Sequence, residues 1–288
     1  MTNINMNAFG LQDQYAEFVK EYKGNYIVGR IISQEKGIYR LISEKGEQFA
    51  EVSGRLRYNA KTASDFPAVG DFVMIDCNAH QGHAIIHDIL PRKSVFIRKA
   101  AGTGNTEQVV AANIDTIFIC MSLNNDFNLR RLERYLAVAW DSGATPVIVL
   151  TKSDLCSDLE QFIYAIESIA VGTDIVVTSA MEQGGMVIDT PGMRELGLWE
   201  IDEGLDKSFS DIEALASMCR FRNCSHTNEP HCAVKEAVAK GQLSKERLQS
   251  YQKLKSENRY VEDTEGYMAE KKQKFKNIAK INKRSRGK

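Results

Sequence analysis

The residues best equipped for chemistry lie late in the chain, in CRFRNCSHTNEPHC, where Cys219, Cys224, His226 and Cys232 fall within fourteen positions. Three thiolates and one imidazole make a closed Cys₃His set, the composition of a structural zinc site, so a catalytic metal is not expected. The residues between them are polar and charged, too poor in apolar groups to form a core of buried thiols. His231 is an alternative fourth ligand to His226. The other cysteines, Cys77, Cys120 and Cys156, stand alone among apolar or turn residues and read as core or incidental thiols.

A second group reads a purine. Thr151, Lys152, Ser153 and Asp154 follow the apolar run PVIVL. A carboxylate there can accept two hydrogen bonds from the N1 and N2 edge of guanine, a donor pair that adenine lacks, while the lysine stem covers the ring. Taken alone the four residues also read as ordinary helix-start charge. Ser179 and Ala180 strengthen the purine reading, because they end the next apolar run, DIVVTS, where a backbone N–H can meet the guanine carbonyl. A third group, Asp189 to Gly192 in MVIDTPG, has an Asp suited to a magnesium shell and a Gly whose N–H suits a γ-phosphate. Its plainer reading is a Pro-Gly turn with a capping Asp. In an ordinary GTPase such a DxxG motif precedes the TKxD motif; here it follows by 35 residues.

The elements that must carry these groups change character along the chain. After a short amphipathic opening, Phe9 to Tyr22, the runs NYIVGRIIS, GIYRLIS, QFAEVSG, DFVMIDC and HAIIHDIL read as five short strands, the number and spacing of an OB-like barrel. Arg30, Tyr39, Arg40, Arg55, Arg57 and Tyr58 could meet RNA on its surface, although a Tyr in an alternating strand is as well placed for a core. Then TIFICM, the amphipathic NLRRLERYLAVAWDSG, PVIVL, a second helical stretch through Ile166 and Ile169, and DIVVTS alternate strand with helix, which predicts a parallel sheet covered on both faces. Function in such sheets gathers at strand ends, where TKSD, TSA and DTPG fall. Ser210 to Glu213 reads as a capping box opening a helix, and GQLSKERLQSYQKLKSE as an amphipathic helix with Leu248, Tyr251 and Leu254 on one face.

The net charge of −1 gives no global pull toward nucleic acid, but Lys271 to Lys288 is strongly basic with no Asp or Glu, and reads either as a polyanion-binding end or as a solvated tail. The N-terminus lacks the basic and apolar regions of a secretory signal, and no apolar run reaches the roughly 20 residues needed to span a bilayer, so a cytoplasmic protein with no membrane partner is expected. In that reducing setting six cysteines are not read as a disulfide framework.

With the inverted motif order, AANIDTIFICMSLNNDFNLRRLERYL, PVIVLTKSDL, VVTSA, VIDTPGMREL and the cysteine cluster together closely resemble the ribosome small subunit-dependent GTPase A family, circularly permuted GTPases that assist 30S assembly. The resemblance spans nearly the whole chain. It implies a multi-domain α+β protein: an N-terminal helix and OB-like barrel over 1–92, a linker over 93–108, an α/β circularly permuted GTPase domain over 109–200, and a mostly helical zinc domain with a basic tail over 201–288. It implies GTP or GDP with Mg²⁺ and a structural Zn²⁺ as cofactors, Thr151, Lys152, Asp154, Ser179 and Ala180 around guanine, Asp189 and Gly192 toward magnesium and phosphate, and His226 rather than His231 as the zinc ligand. The implied partners are the 30S subunit and its 16S rRNA, met by a monomer.

One part of the family pattern is missing. Its phosphate-binding loop belongs between the SA and DTPG motifs, yet eight residues, Met181 to Ile188, separate them, and GxxxxGK[ST] occurs nowhere in the chain. Four charge-assisted hydrogen bonds at about 1.5–3 kcal/mol each amount to at least ~6 kcal/mol. Their loss lowers affinity by about 10⁴ or more, and leaves the transition state without a counter-charge. The short connection also favours a tight turn at Gln183 to Gly185, with Met186 to Asp189 antiparallel to Asp174 to Ser179 or unpaired. Three functions follow: the family's ribosome-stimulated GTPase with doubtful hydrolysis, a nucleotide-independent rRNA-binding zinc protein, or an internally deleted, non-functional GTPase.

Overall fold

The five alternating runs near the N-terminus close into a barrel. In the computed structural model of the chain, β1 (Tyr26–Glu35), β2 (Ile38–Ser43), β3 (Gly46–Val52), β4 (Phe72–Asp76) and β5 (Ala84–Ile89) pair in the order β1-β2-β3-β5-β4. The β3–β5 pair is parallel, and β1 meets β4 antiparallel to complete the closure. The structure describes residues 4–11, 15–22, 25–76, 83–99, 107–179, 181, 201–263 and 266.

Alternation along each strand decides what faces inward. Ile31, Tyr39, Leu41, Ala50, Val73, Ile75 and Ile86 are all buried and form the barrel core. Tyr39 is therefore a core residue and offers no platform for a base. Arg30 is also spoken for, since its guanidinium donates to the carbonyls of Gly70 and Asn113 and to that of Phe9. Tyr58, in the short helix α2 (Gly54–Asn59) after β3, is 90% exposed. In the amphipathic opening, α1 spans Ala16–Glu21. The stretch expected as a linker contains β6 (Val95–Lys99), which pairs antiparallel with β7 (Glu107–Ala112). Residues Met1–Ile117 with Ser142–Thr145 form one compact unit, and Phe118–Asp141 with Pro146–Lys288 the other.

Three strands make the second sheet, β8 (Thr116–Ser122), β9 (Thr145–Thr151) and β10 (Asp174–Val177), ordered β10-β9-β8. β9 and β10 are parallel, with Asp174 opposite Val147 and Val177 opposite Leu150. The helix expected after β8 is α3 (Leu129–Asp141), and that after β9 is α4 (Leu159–Glu167). Coverage of both faces does not hold at β8. Ile119 and Met121 are buried, whereas the alternating Phe118 is 62% exposed and Cys120 is exposed.

The remaining helices are α5 (Asp202–Ser208), α6 (Ser210–Ala216), α7 (Ala233–Ala239) and α8 (Lys245–Glu262). The capping box at Ser210 is not formed. α5 runs into α6 with the fully buried Phe209 closing one and opening the other, so Ser210 is already the first helical residue. Glu213 instead accepts a hydrogen bond from the Tyr251 hydroxyl. α8 buries Leu248, Tyr251 and Leu254, as its spacing predicts. Its Arg247 forks onto both oxygens of Asp211, reaches the fully buried Glu133 of α3 at 2.9 Å, and donates to the Ser208 carbonyl. No helix among the described residues is long and apolar enough to cross a membrane.

Candidate metal centre and nucleotide-facing loops

Cys219 follows α6, Cys224 and His226 lie on the loop behind it, and Cys232 immediately precedes α7. The fold brings their four ligand atoms within 4.8 Å of one another. Zinc bonds of about 2.3 Å to sulfur and about 2.0–2.1 Å to nitrogen at tetrahedral angles imply sulfur pairs about 3.8 Å apart and sulfur about 3.6 Å from nitrogen. The structure has Cys219 Sγ 3.8 Å from Cys232 Sγ, and His226 Nδ1 3.7 Å and 3.4 Å from those two sulfurs. The donor set and its spacing are thus compatible with zinc bound through Nδ1. His231, the alternative ligand, is exposed and outside the cluster.

The protonation chemistry points the same way. Burial, followed by the nearby Lys255, pushes the His226 imidazole below its ordinary value, toward the neutral form that binds metal. Burial works to raise the Cys219 thiol, yet the N–H groups of Val234 and Ala233 at the start of α7 bring it below the usual range. Cys224, by contrast, is taken up to about 11 by burial. A divalent cation removes that mismatch, because it deprotonates coordinating thiols outright.

Residues that the sequence gave no reason to single out hold the loop in shape. Glu229 accepts from the N–H groups of Ser225, Thr227 and Asn228 and from the Ser225 hydroxyl. The Ser225 hydroxyl, joined by the N–H groups of Glu229 itself, Ser225 and Thr227, holds its carboxyl down at about 2. From α8, Gln252 donates to the His226 carbonyl at 3.1 Å. The one available signal was an acid three residues after a ligand in a loop rich in N–H donors.

At the sheet, Lys152 adopts a left-handed φ of 60°, a conformation a side chain resists, and this turns the chain sharply off β9 into the short turn Ser153–Leu155. The turn sets Asp154 beside the end of β10, where the buried Ser179 donates its hydroxyl to the carboxylate. Ser153 N–H donates to the Thr178 carbonyl, and Thr178 N–H to that of Leu150. Parallel pairing therefore brings together Thr151, Lys152, Asp154 and Ser179, with the Asp154 and Lys152 side chains exposed. Ala180, Asp189, Gly192, the expected turn at Gln183 to Gly185 and the basic end from Lys271 lie outside the described residues.

A closed barrel, followed by a sheet with β9 and β10 parallel and the Thr-Lys-Ser-Asp loop ahead of the DTPG sequence, is the order of a circularly permuted GTPase type of protein. The RsgA GTPase family model matches residues 89–183. A small ribosomal subunit biogenesis GTPase RsgA 2 of Lactiplantibacillus plantarum is 40% identical over 323 residues, covering 89% of this chain and 90% of the relative. An RsgA 1 of Oceanobacillus iheyensis is 33% identical over 354 residues, covering 98% and 100%. Among solved structures, YloQ, described as a circularly permuted GTPase, aligns at TM-score 0.57 with 25% identity over 81% of this chain and 96% of its own. YjeQ from Thermotoga maritima aligns at TM-score 0.57 with 21% identity, over 80% and 97%, which concerns the fold. The chain belongs to the RsgA family of small ribosomal subunit biogenesis GTPases.

Proposed function

We propose that this chain is a cytoplasmic, monomeric small-subunit biogenesis factor that docks on the 30S particle through 16S rRNA, holds guanine nucleotide weakly and hydrolyses it negligibly. Asp154 and Lys152 select guanine, with Thr151, Ser179 and Ala180 around the base; Asp189 and Gly192 are vestiges of a magnesium and phosphate site. Zn²⁺ on Cys219, Cys224, His226 and Cys232 is structural.

The observation that carries this reading is the missing phosphate-binding sequence. No GxxxxGK[ST] occurs in the 288 residues. Base contacts alone cannot retain a triphosphate once several charge-assisted bonds are gone. Titration of purified protein with GTP and GDP tests this: millimolar or weaker binding is expected, and micromolar binding overturns it. Sedimentation with 30S particles is expected to be indifferent to nucleotide and weakened by salt.

A second reading, an internally deleted and non-functional GTPase, is favoured by the exposed face of β8. Its mark is early proteolysis within residues 110–200 with the zinc region intact, together with no 30S binding.

A further inference from the structure

The loop between the first two metal ligands, Arg220-Phe221-Arg222-Asn223, is exposed at every position. Phe221 keeps 41% of its surface in solvent, and the Arg220 guanidinium carbon lies 5.7 Å from its ring centroid. Both ends of the loop are pinned by the Cys219 and Cys224 sulfurs, which converge on one cluster, so four residues between them have little freedom to fold the ring inward. The 41% of Phe221 that stays in solvent is free to meet a group outside the chain. From Ser217 to Asn228 the chain has two arginines and no Asp or Glu. The nearest acid along the chain, Glu229, spends its carboxylate on the N–H groups of its own loop.

We propose that this metal-pinned loop is a single-stranded RNA contact in which Phe221 stacks on an unpaired base while Arg220 and Arg222 neutralise flanking phosphates. The proposal rests on the rRNA-docking reading and names the chemistry of one contact within it. An aromatic face is sequence-tolerant and needs a base splayed out of its helix, which selects single strands over duplex. Guanidinium groups on both sides complement the phosphate backbone that flanks such a base.

The test uses the full, zinc-loaded chain and a fluorescently labelled oligouridine, read by anisotropy across a salt series beside a duplex RNA. Phe221→Ala is expected to weaken single-strand binding by about 5- to 150-fold, the range of one lost base stack, with zinc content unchanged and duplex binding unaffected. Phe221→Trp restores it. Arg222→Gln lowers the slope of log affinity against log salt by about 0.7, the share of one phosphate on a single strand. Wild-type protein that binds no RNA at all overturns the rRNA reading and this contact with it. Wild-type protein that binds RNA while Phe221→Ala matches it, or while Arg222→Gln leaves the slope unchanged, overturns the contact alone. Loss of 30S sedimentation by Phe221→Ala at unchanged RNA affinity assigns the patch to a protein partner and also overturns it.

Discussion

Glu229 touches no metal-binding atom, yet three backbone N–H groups and a hydroxyl of the loop that carries His226 converge on it. A loop with so few apolar residues has no packing to define its shape, so these bonds stand in for a core. Outer partners of this kind fix the orientation of metal ligands. Glu229→Ala is therefore expected to lower zinc affinity by about 10- to 100-fold, measured by chelator competition, with α8 and its buried Leu248, Tyr251 and Leu254 intact by circular dichroism. Unchanged affinity shows that the four ligands shape the loop unaided. The clustering of Cys219, Cys224, His226 and Cys232 was legible in the sequence because their chemistry is carried by residue type and spacing. Glu229 was not, because its partners are backbone groups, which every residue has.

Between elements, the closest packing is where α5 lies on α3. A Cβ on Gly204 would sit 1.9 Å from the Ala137 carbonyl oxygen and 2.7 Å from Asp141, so no side chain fits without separating the helices. Gly204→Ala is expected to cost about 1–3 kcal/mol in denaturant unfolding, the usual price of overpacking. Asp141, at the end of α3, accepts from the Gly204 N–H, and burial, with Asp202 and Glu203 adding, pushes its carboxyl up to about 6. The folded state thus holds this proton more tightly than the unfolded chain, whose value is near 3.8. Its contribution to stability is full below about pH 4 and is lost as the pH rises to about 6. Asp141→Asn keeps the acceptor and removes the titration, so the melting temperature of the variant should gain on wild type across that window; parallel profiles refute the assignment. None of this was readable beforehand, since α5 is a short, mostly polar run that packs through Gly204, Leu205 and Ser208. Strands β1 to β5 were readable because each alternates at period two, and the Asp154 loop because an apolar strand gives way abruptly to Thr-Lys-Ser-Asp. The box at Ser210 misled because Phe209, buried between two helices, took the position that local chemistry assigns to a serine.

For the molecule as a whole, the sharpest contrast lies on β8, where one strand presents two different surroundings. Ile119 is 5% exposed, and its neighbour Phe118 is 62% exposed. A strand written as a continuous apolar run belongs to a sheet covered on both faces. Here the run TIFICM alternates between buried and exposed positions, so sequence pattern and burial disagree. Ile119→Ala is expected to destabilise the unit by about 2–5 kcal/mol, the cost of a cavity. Phe118→Ser should change stability by less than about 0.5 kcal/mol, because it removes little buried surface. It should also delay aggregation on heating, because a large exposed aromatic beside other apolar groups promotes association. Denaturant unfolding gives the first comparison and light scattering during a temperature ramp the second. If Phe118→Ser proves as costly as Ile119→Ala, that face is covered after all. The case for an internally deleted, non-functional chain then loses the observation that favours it.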